Sequence, residues 1–365
     1  MFGTVLTFAA ALLHVYVFWR AASVPAVVRR VGRRWIWAAG GLLLAGFALT
    51  RFRGHGGTGI WPQGLELASM SWLAALFLAA VCLLVVDLVT GFGFLLPRLA
   101  PRLRGWALAA GAALTVLALV QGLRPPVVEP YDVRLPGLPR ELDGTVIVAL
   151  SDLHVGSILG VPWLEARVEQ VAAENPDLVV LLGDILEGHG EPKADIFPAL
   201  GRLRAPMGVW AVLGNHEYHG GDGDTAVFDG AAIRVMRDEW AEVRPGLVLA
   251  GVDDLTNGRR NGTDGRSIEK ALADRPPGGT VLLSHTPWQA EKAAASGAGL
   301  MLSGHTHGGQ IWPFGYLVAR RYPLLDGRYD VDGMTVLVCR GTGTWGPRMR
   351  LWHPGAILRV TLRAG

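Results

Sequence analysis

The chain has 365 residues, 50% of them apolar and 18% charged, which is too apolar for one ordinary soluble domain and too long for a single core. Residues 1–124 hold eleven arginines, no lysine and two acids, Glu66 and Asp87, a balance of +9; against a whole-chain charge of +3, the remainder carries −6. A basic apolar half joined to a mildly acidic half excludes histones and basic DNA readers, and no nucleic-acid binding is expected. The two cysteines, Cys82 and Cys339, exclude a disulfide scaffold and a Cys-rich zinc module.

A helix rises about 1.5 Å per residue, so about 20 apolar residues cross roughly 30 Å of hydrocarbon. Residues 2–18, 35–50, 69–96 and 106–123 predict four such helices. The first has no basic n-region and no small-x-small site after it, so it reads as an uncleaved helix. The second is short and Gly-rich but is fenced by Arg33/Arg34 and Arg51/Arg53. Arginines crowd the loops after the first span (Arg20, Arg29, Arg30, Arg33, Arg34) and the third (Arg98, Arg102, Arg104), while the loop between has Arg51 and Arg53. Basic loops stay cytoplasmic, which places the C-terminal half outside the cytoplasm. That assignment inverts if 35–50 lies on the surface. His14 and Asp87 fall within spans, where ionisable groups are functional suspects; without a relay pattern around them, residues 1–124 read as an anchor of about four transmembrane helices.

Arg124-Pro-Pro-Val-Val-Glu-Pro cannot continue a helix, since each Pro lacks a donor and fixes φ. Residues 125–142 read as a Pro-rich linker and 143–365 as a second domain. Short β-branched or aliphatic runs follow at 145–150, 178–182, 208–213, 280–283 and 299–302, and they read as buried strands. They end, in order, at Asp152 and His154; at Asp184; at Asn215, His216 and Glu217; at His285; and at His305 and His307. A helical pattern over 163–175 between the first two gives a βαβ unit. Sheets of this α/β kind gather ligands at the carboxyl ends of their strands.

Two divalent ions about 3.5–4 Å apart need a bridging carboxylate with neutral or anionic ligands on both flanks, and can then clamp an in-line phosphoryl displacement. Asp152 with His154, and His305 with His307, each two apart in an extended segment, are expected on one side of the chain. Mixed imidazole and carboxylate ligation suits Mn, Fe or Zn better than Ca.

Asp-x-His, Gly-Asp, Gly-Asn-His-Glu, His and Gly-His-x-His in this order resemble the calcineurin-like metallophosphoesterase superfamily, and GHTHGGQIWP resembles its membrane-linked bacterial branch of YkuE/YaeI type. The match covers roughly 143–363 and none of the spans. The resemblance implies a four-layer α/β/β/α sandwich behind the N-terminal helices and a two-metal centre, Mn first with Fe or Zn as alternatives. Asp152, His154 and His307 would hold one ion, Asn215, His285 and His305 the other, and Asp184 would bridge. His216 would be the catalytic, non-ligand histidine, donating to the leaving-group oxygen or to the transition-state phosphoryl. Where the family often has Asp three residues after the bridging Asp, this chain has Glu187, expected to orient His216. The segment Trp352-His353-Pro354-Gly355 departs from the family's closing Pro-Pro-Glu.

The bland reading, that these are ordinary turn residues, fails because seven candidate ligands fall in order. His189 and His219 read as solvated loop residues, and the Gly220–Asp224 stretch lacks the closing Glu of a calcium loop. Trp288, Trp312, Phe314 and Trp345 read as core or rim packing, though they could stack on a base or rest on lipid. The expected function is that of a membrane-anchored metal-dependent phosphoric ester hydrolase, a phosphodiesterase among the options, acting on a phosphorylated small-molecule or lipid substrate with membrane lipids as partners. The alternative is a non-catalytic metal-binding sensor or docking protein.

Overall fold

The computed structural model describes residues 2–52, 60–156, 158–187, 196–218, 223, 225, 228, 231–262 and 265–365. The chain divides into two compact units, Met1–Leu123 with Gly346–Leu351, and Arg124–Trp345 with Trp352–Gly365.

The first unit contains helices α1 (Phe2–Ala21), α2 (Pro25–Val31), α3 (Arg33–Phe52), α4 (Ile60–Val89) and α5 (Ala100–Leu123). Among the described residues, α4 and α5 are long and apolar enough to cross a membrane, and a third span is reached if Thr7–Ala21 and Pro25–Val31, bent by 93°, count as one. The helix expected over 35–50 forms as α3 but is not among them. Its glycines and flanking arginines dilute the apolar run. Pro25 begins α2 as a separate element because its missing N–H is no loss in a first turn.

Asp87 is buried, and its carboxylate pairs with Arg20 Nε at 2.7 Å and with Arg104 at 2.8 Å, while Tyr16 donates to it at 2.7 Å. A buried carboxylate with three such partners is a structural tie between α1, α4 and α5. His14 is likewise satisfied: its Nδ1 donates to Ala10 O at 2.7 Å and its Nε2 accepts from Trp72 at 2.9 Å. Between α4 and α5 the backbones approach closely, since a Cβ on Gly111 would lie 2.8 Å from Ala79 Cα.

The second unit is built on twelve strands: β1 (Val127–Leu135), β2 (Val146–Leu150), β3 (Leu178–Leu181), β4 (Val209–Ala211), β5 (Ile233–Val235), β6 (Glu239–Arg244), β7 (Leu247–Gly251), β8 (Gly279–Leu283), β9 (Leu300–Ser303), β10 (Gly327–Val331), β11 (Met334–Val338) and β12 (Ala356–Ala364). They form two six-stranded sheets, ordered β1-β12-β2-β3-β4-β5 and β10-β11-β9-β8-β7-β6. The central strands are buried on both faces, which is why they read as continuous apolar runs without alternation.

Alternate residues then sort the layers. Ile147, Ala149, Leu178 and Val180 of the first sheet share a core with Leu249, Val281, Leu283 and Leu302 of the second. Their neighbours Val148, Leu150, Val179 and Leu181 face outward onto Leu164, Val168 and Val171 of α6 (Val161–Ala173) and onto α7 (Ile196–Leu200). On the far side Ala250, Leu282 and Met301 pack on α8 (Leu255–Asn261), α9 (Ser267–Leu272) and α10 (Ala290–Ala295). This is the α/β/β/α order, with helices outside and two sheets face to face.

The stretch read as a linker, 125–142, is in part strand: β1 runs parallel to β12 in nine-residue register, Val127 opposite Ala356. Pro130 is tolerated there because β1 is an edge strand.

Candidate metal centre

Every expected site residue that the structure describes lies just past the carboxyl end of a central strand, on β2, β3, β4, β8 or β9. The local backbone is not the extended one expected from two-residue spacing. Asp152, His154, Asp184, His305 and His307 all have positive φ, between 47° and 72°. β2, β3 and β9 are therefore followed by left-handed residues that swing imidazole or carboxylate back over the sheet edge, a conformation held only when the surroundings over-determine it. The glycines between them leave the required room. A Cβ on Gly304 would strike Ser151 Oγ, and one on Gly214 would strike Asp184 Oδ1.

Three groups of side chains converge: Asp152, His154 and His307; Asp184, His285 and His305; and His154, Glu187 and His216. In the first, His307 Nε2 lies 3.2 Å from both His154 Nε2 and Asp152 Oδ1. In the second, His285 Nε2 is 3.3 Å from Asp184 Oδ2 and 3.1 Å from His305 Nδ1. Asp184 Oδ2 also lies 3.8 Å from His154 Nε2 and 3.9 Å from His216 Nε2, so this one oxygen stands between the groups.

Three of the remaining ring nitrogens are held by the protein. His285 Nδ1 donates to Leu182 O at 2.7 Å, His154 Nδ1 donates to Glu187 Oε2 at 2.6 Å, and His305 Nε2 meets Tyr322 OH at 2.8 Å. These contacts turn His285 Nε2, His154 Nε2 and His305 Nδ1 toward the convergence point, the arrangement that metal-binding histidines require. Glu187 Oε2 is also 3.3 Å from His216 Nδ1, so it faces both histidines and lies nearer His154.

Electrostatics follow from burying this many charges. Burial pushes Asp152 and Asp184 upward, but His307 beside the first and His285 beside the second outweigh it and hold both carboxyls well below the usual range. Burial opposes charge on His154 too, yet Glu187 raises it to about 9 while itself being held at about 2. His285 is raised by Asp184 against burial, whereas His305 is lowered to about 4 by burial and by its neighbour His285.

The donor set fits divalent metal. Asn215 Oδ1 and Asp152 Oδ1 are buried and accept no hydrogen bond from the described residues, an expensive state for oxygens unless a cation meets them. Imidazole nitrogens 3.1–3.2 Å apart, with carboxylates between, offer lone pairs to shared points. Asp152, His154 and His307 would hold one ion, Asp184, His285 and His305 the other, with Asn215 supplying a neutral oxygen.

Two contributors lack a role in the sequence reading. Glu217, quoted there only as part of a motif, is buried beneath Asp184, and its oxygens accept from Asp184 N at 2.9 Å, Gly214 N at 2.7 Å and Ile185 N at 2.7 Å. It staples the β3 and β4 turns together; burial and the nearby Asp184 raise it to about 7. Tyr322 has no strand-end signal at all. Trp288 stacks on it at 5.3 Å and 15°. His189, His219, residues 220–222 and Asp224 lie outside the described residues.

The calcineurin-like phosphoesterase profile matches residues 145–309. A transmembrane protein with metallophosphoesterase domain from Danio rerio is 32% identical over 83% of this chain and 74% of its own length. An uncharacterized metallophosphoesterase from Aquifex aeolicus (strain VF5) is 35% identical over 65% of this chain and 91% of its own. The uncharacterized metallophosphoesterase YkuE of Bacillus subtilis (strain 168) is 32% identical over 71% and 94%. The chain belongs to the calcineurin-like metallophosphoesterase family.

Proposed function

We propose that the chain is a membrane-anchored phosphoric ester hydrolase with a dinuclear metal centre. Asp152, His154 and His307 would hold one ion, Asn215, His285 and His305 the other, and Asp184 would serve both. The observation that carries this reading is the placement of Asp184 Oδ2 between two His/carboxylate groups. When bound, the ions supply positive charge for the transferring phosphoryl group and lower the pKa of a water toward about 7, making hydroxide available near neutral pH.

This chain's own residues do the rest. Glu187 and Tyr322 fix the ring orientations of His154 and His305. His216, its backbone N–H anchored on Asp184 Oδ1 at 2.9 Å, holds a ring proton for the leaving oxygen. Mn is the ion favoured by this mixed donor set, with Fe and Zn as alternatives. Anchoring by α4, α5 and the bent α1/α2 pair keeps the centre near lipid, which favours lipid- or envelope-linked phosphodiesters and pyrophosphates. The arginine distribution places the catalytic unit outside the cytoplasm with α3 as a fourth span, and inside with the three spans above.

His216→Ala should lower kcat on a chromogenic phosphodiester by about 10²-fold or more with metal content unchanged, and Asp184→Asn should lose metal as well as activity. Unchanged turnover in both variants refutes the assignment.

A further inference from the structure

Large apolar side chains are almost entirely buried in the second unit. Among the described residues only Val127, Phe314, Tyr316, Leu317 and Trp352 are exposed, and four of these five gather at one place. Phe314, Tyr316 and Leu317 are 44%, 71% and 58% exposed around the short helix α11 (Gly315–Val318). Trp352 is 52% exposed, and its ring lies 4.9 Å from that of Trp312. Scattered exposed apolar groups mean nothing, but a single cluster on an otherwise polar surface marks a contact face.

The cluster adjoins the metal centre. Gly309, two residues after His307, packs so tightly on Gly315 that a Cβ there would strike its backbone. Arg320 and Arg321 are exposed at the end of the same segment, and Arg321 also lies over Trp288 at 4.6 Å. Aromatic rings beside arginines suit the lipid headgroup boundary, where rings lie among acyl carbonyls and guanidiniums meet phosphate. The same chain supplies spanning helices, and only residues 124–126 separate α5 from β1, a reach of about 10 Å.

We propose that Trp312, Phe314, Tyr316, Leu317 and Trp352, with Arg320 and Arg321, form a docking surface for an anionic lipid bilayer. This surface presents the metal centre to phosphoesters carried on lipid headgroups. The docking stands on the patch itself; the substrate class rests on the hydrolase reading above.

The test uses the full chain in nanodiscs of phosphatidylcholine, with or without phosphatidylglycerol. Leu317→Cys in a Cys82→Ala background carries an environment-sensitive fluorophore, and Glu239→Cys, exposed on β6, is the control. The label at 317 should emit to the blue of the control, further so with phosphatidylglycerol, and the added shift should be lost in Arg320→Glu/Arg321→Glu. Equal emission at both positions in both lipids overturns the docking, as does a blue shift that appears only when other proteins are added. Tyr316→Ser/Leu317→Ser should slow turnover of a lipid-borne phosphoester about tenfold and leave a soluble aryl phosphodiester unaffected; equal loss on both overturns the substrate class. If the unsubstituted chain hydrolyses neither, the hydrolase reading fails while the fluorescence still decides the docking.

Discussion

His154 shows how the site trades protons for metal. Burial lowers its basicity, Glu187 more than restores it, and the result is about 9 against an ordinary 6.5. A histidine raised in the folded state stabilises it fully below 6.5, and that contribution is lost as pH rises through about 9. Glu187 behaves in the opposite sense, contributing above 4.5 and losing that as pH falls toward about 2. The metal-free protein is thus favoured between these limits. An ion at His154 Nε2 must displace a proton. Added Mn should therefore raise Tm more near pH 9 than near pH 6.5, and a pH-independent increment contradicts the pairing. Glu187→Gln should flatten the dependence. The converging side chains were legible because histidine and aspartate after apolar runs are conspicuous. Their left-handed backbone was not, because glycine flanks permit it without announcing it. Glu217 was illegible in another way: its partners are backbone N–H groups, which leave no mark on sequence. Glu217→Ala should orphan three buried donors at about 1–3 kcal/mol each, read as a fall in Tm.

At the scale of elements, strands buried on both faces were found from composition, and β2, β3, β4, β8 and β9 lie where apolar runs predict them. Edge strands were harder. β1 carries Glu129, Pro130 and Asp132 and has an alternating, partly exposed pattern, so nothing short of its partner identifies it. Helices of the first unit were legible as apolar runs, but the break at Pro25 and the standing of α3 depend on packing. The Asp87 tie binds three helices. Asp87→Ala would leave Arg20 and Arg104 buried without their shared carboxylate, and a loss of about 3–5 kcal/mol is expected. Thermal unfolding in detergent followed by far-UV circular dichroism measures it; an unchanged melting curve would show the tie to be dispensable.

As a whole molecule, the chain joins a helical unit and a two-sheet unit, each with its own apolar core. Separate cores predict separate responses. Chelation should lower the melting temperature of the sheet unit and leave the helical signal in place; a single shared transition shifted by chelator would show the units to be energetically coupled. The division in charge and composition made the two-part organisation readable early, since lipid and water select different residues.

The pairing of β1 with β12 constrains how such a chain can be made. β12 occupies the slot between β1 and β2, parallel to the one and antiparallel to the other. During synthesis, β1 emerges directly behind α5 and finds no neighbour until the segment around Ala356 leaves the ribosome. The first sheet must therefore wait, partly open, while the second is completed, a period in which an unpaired edge invites wrong associations. Biogenesis of this protein is accordingly a race between sealing that gap and losing the nascent chain to aggregation.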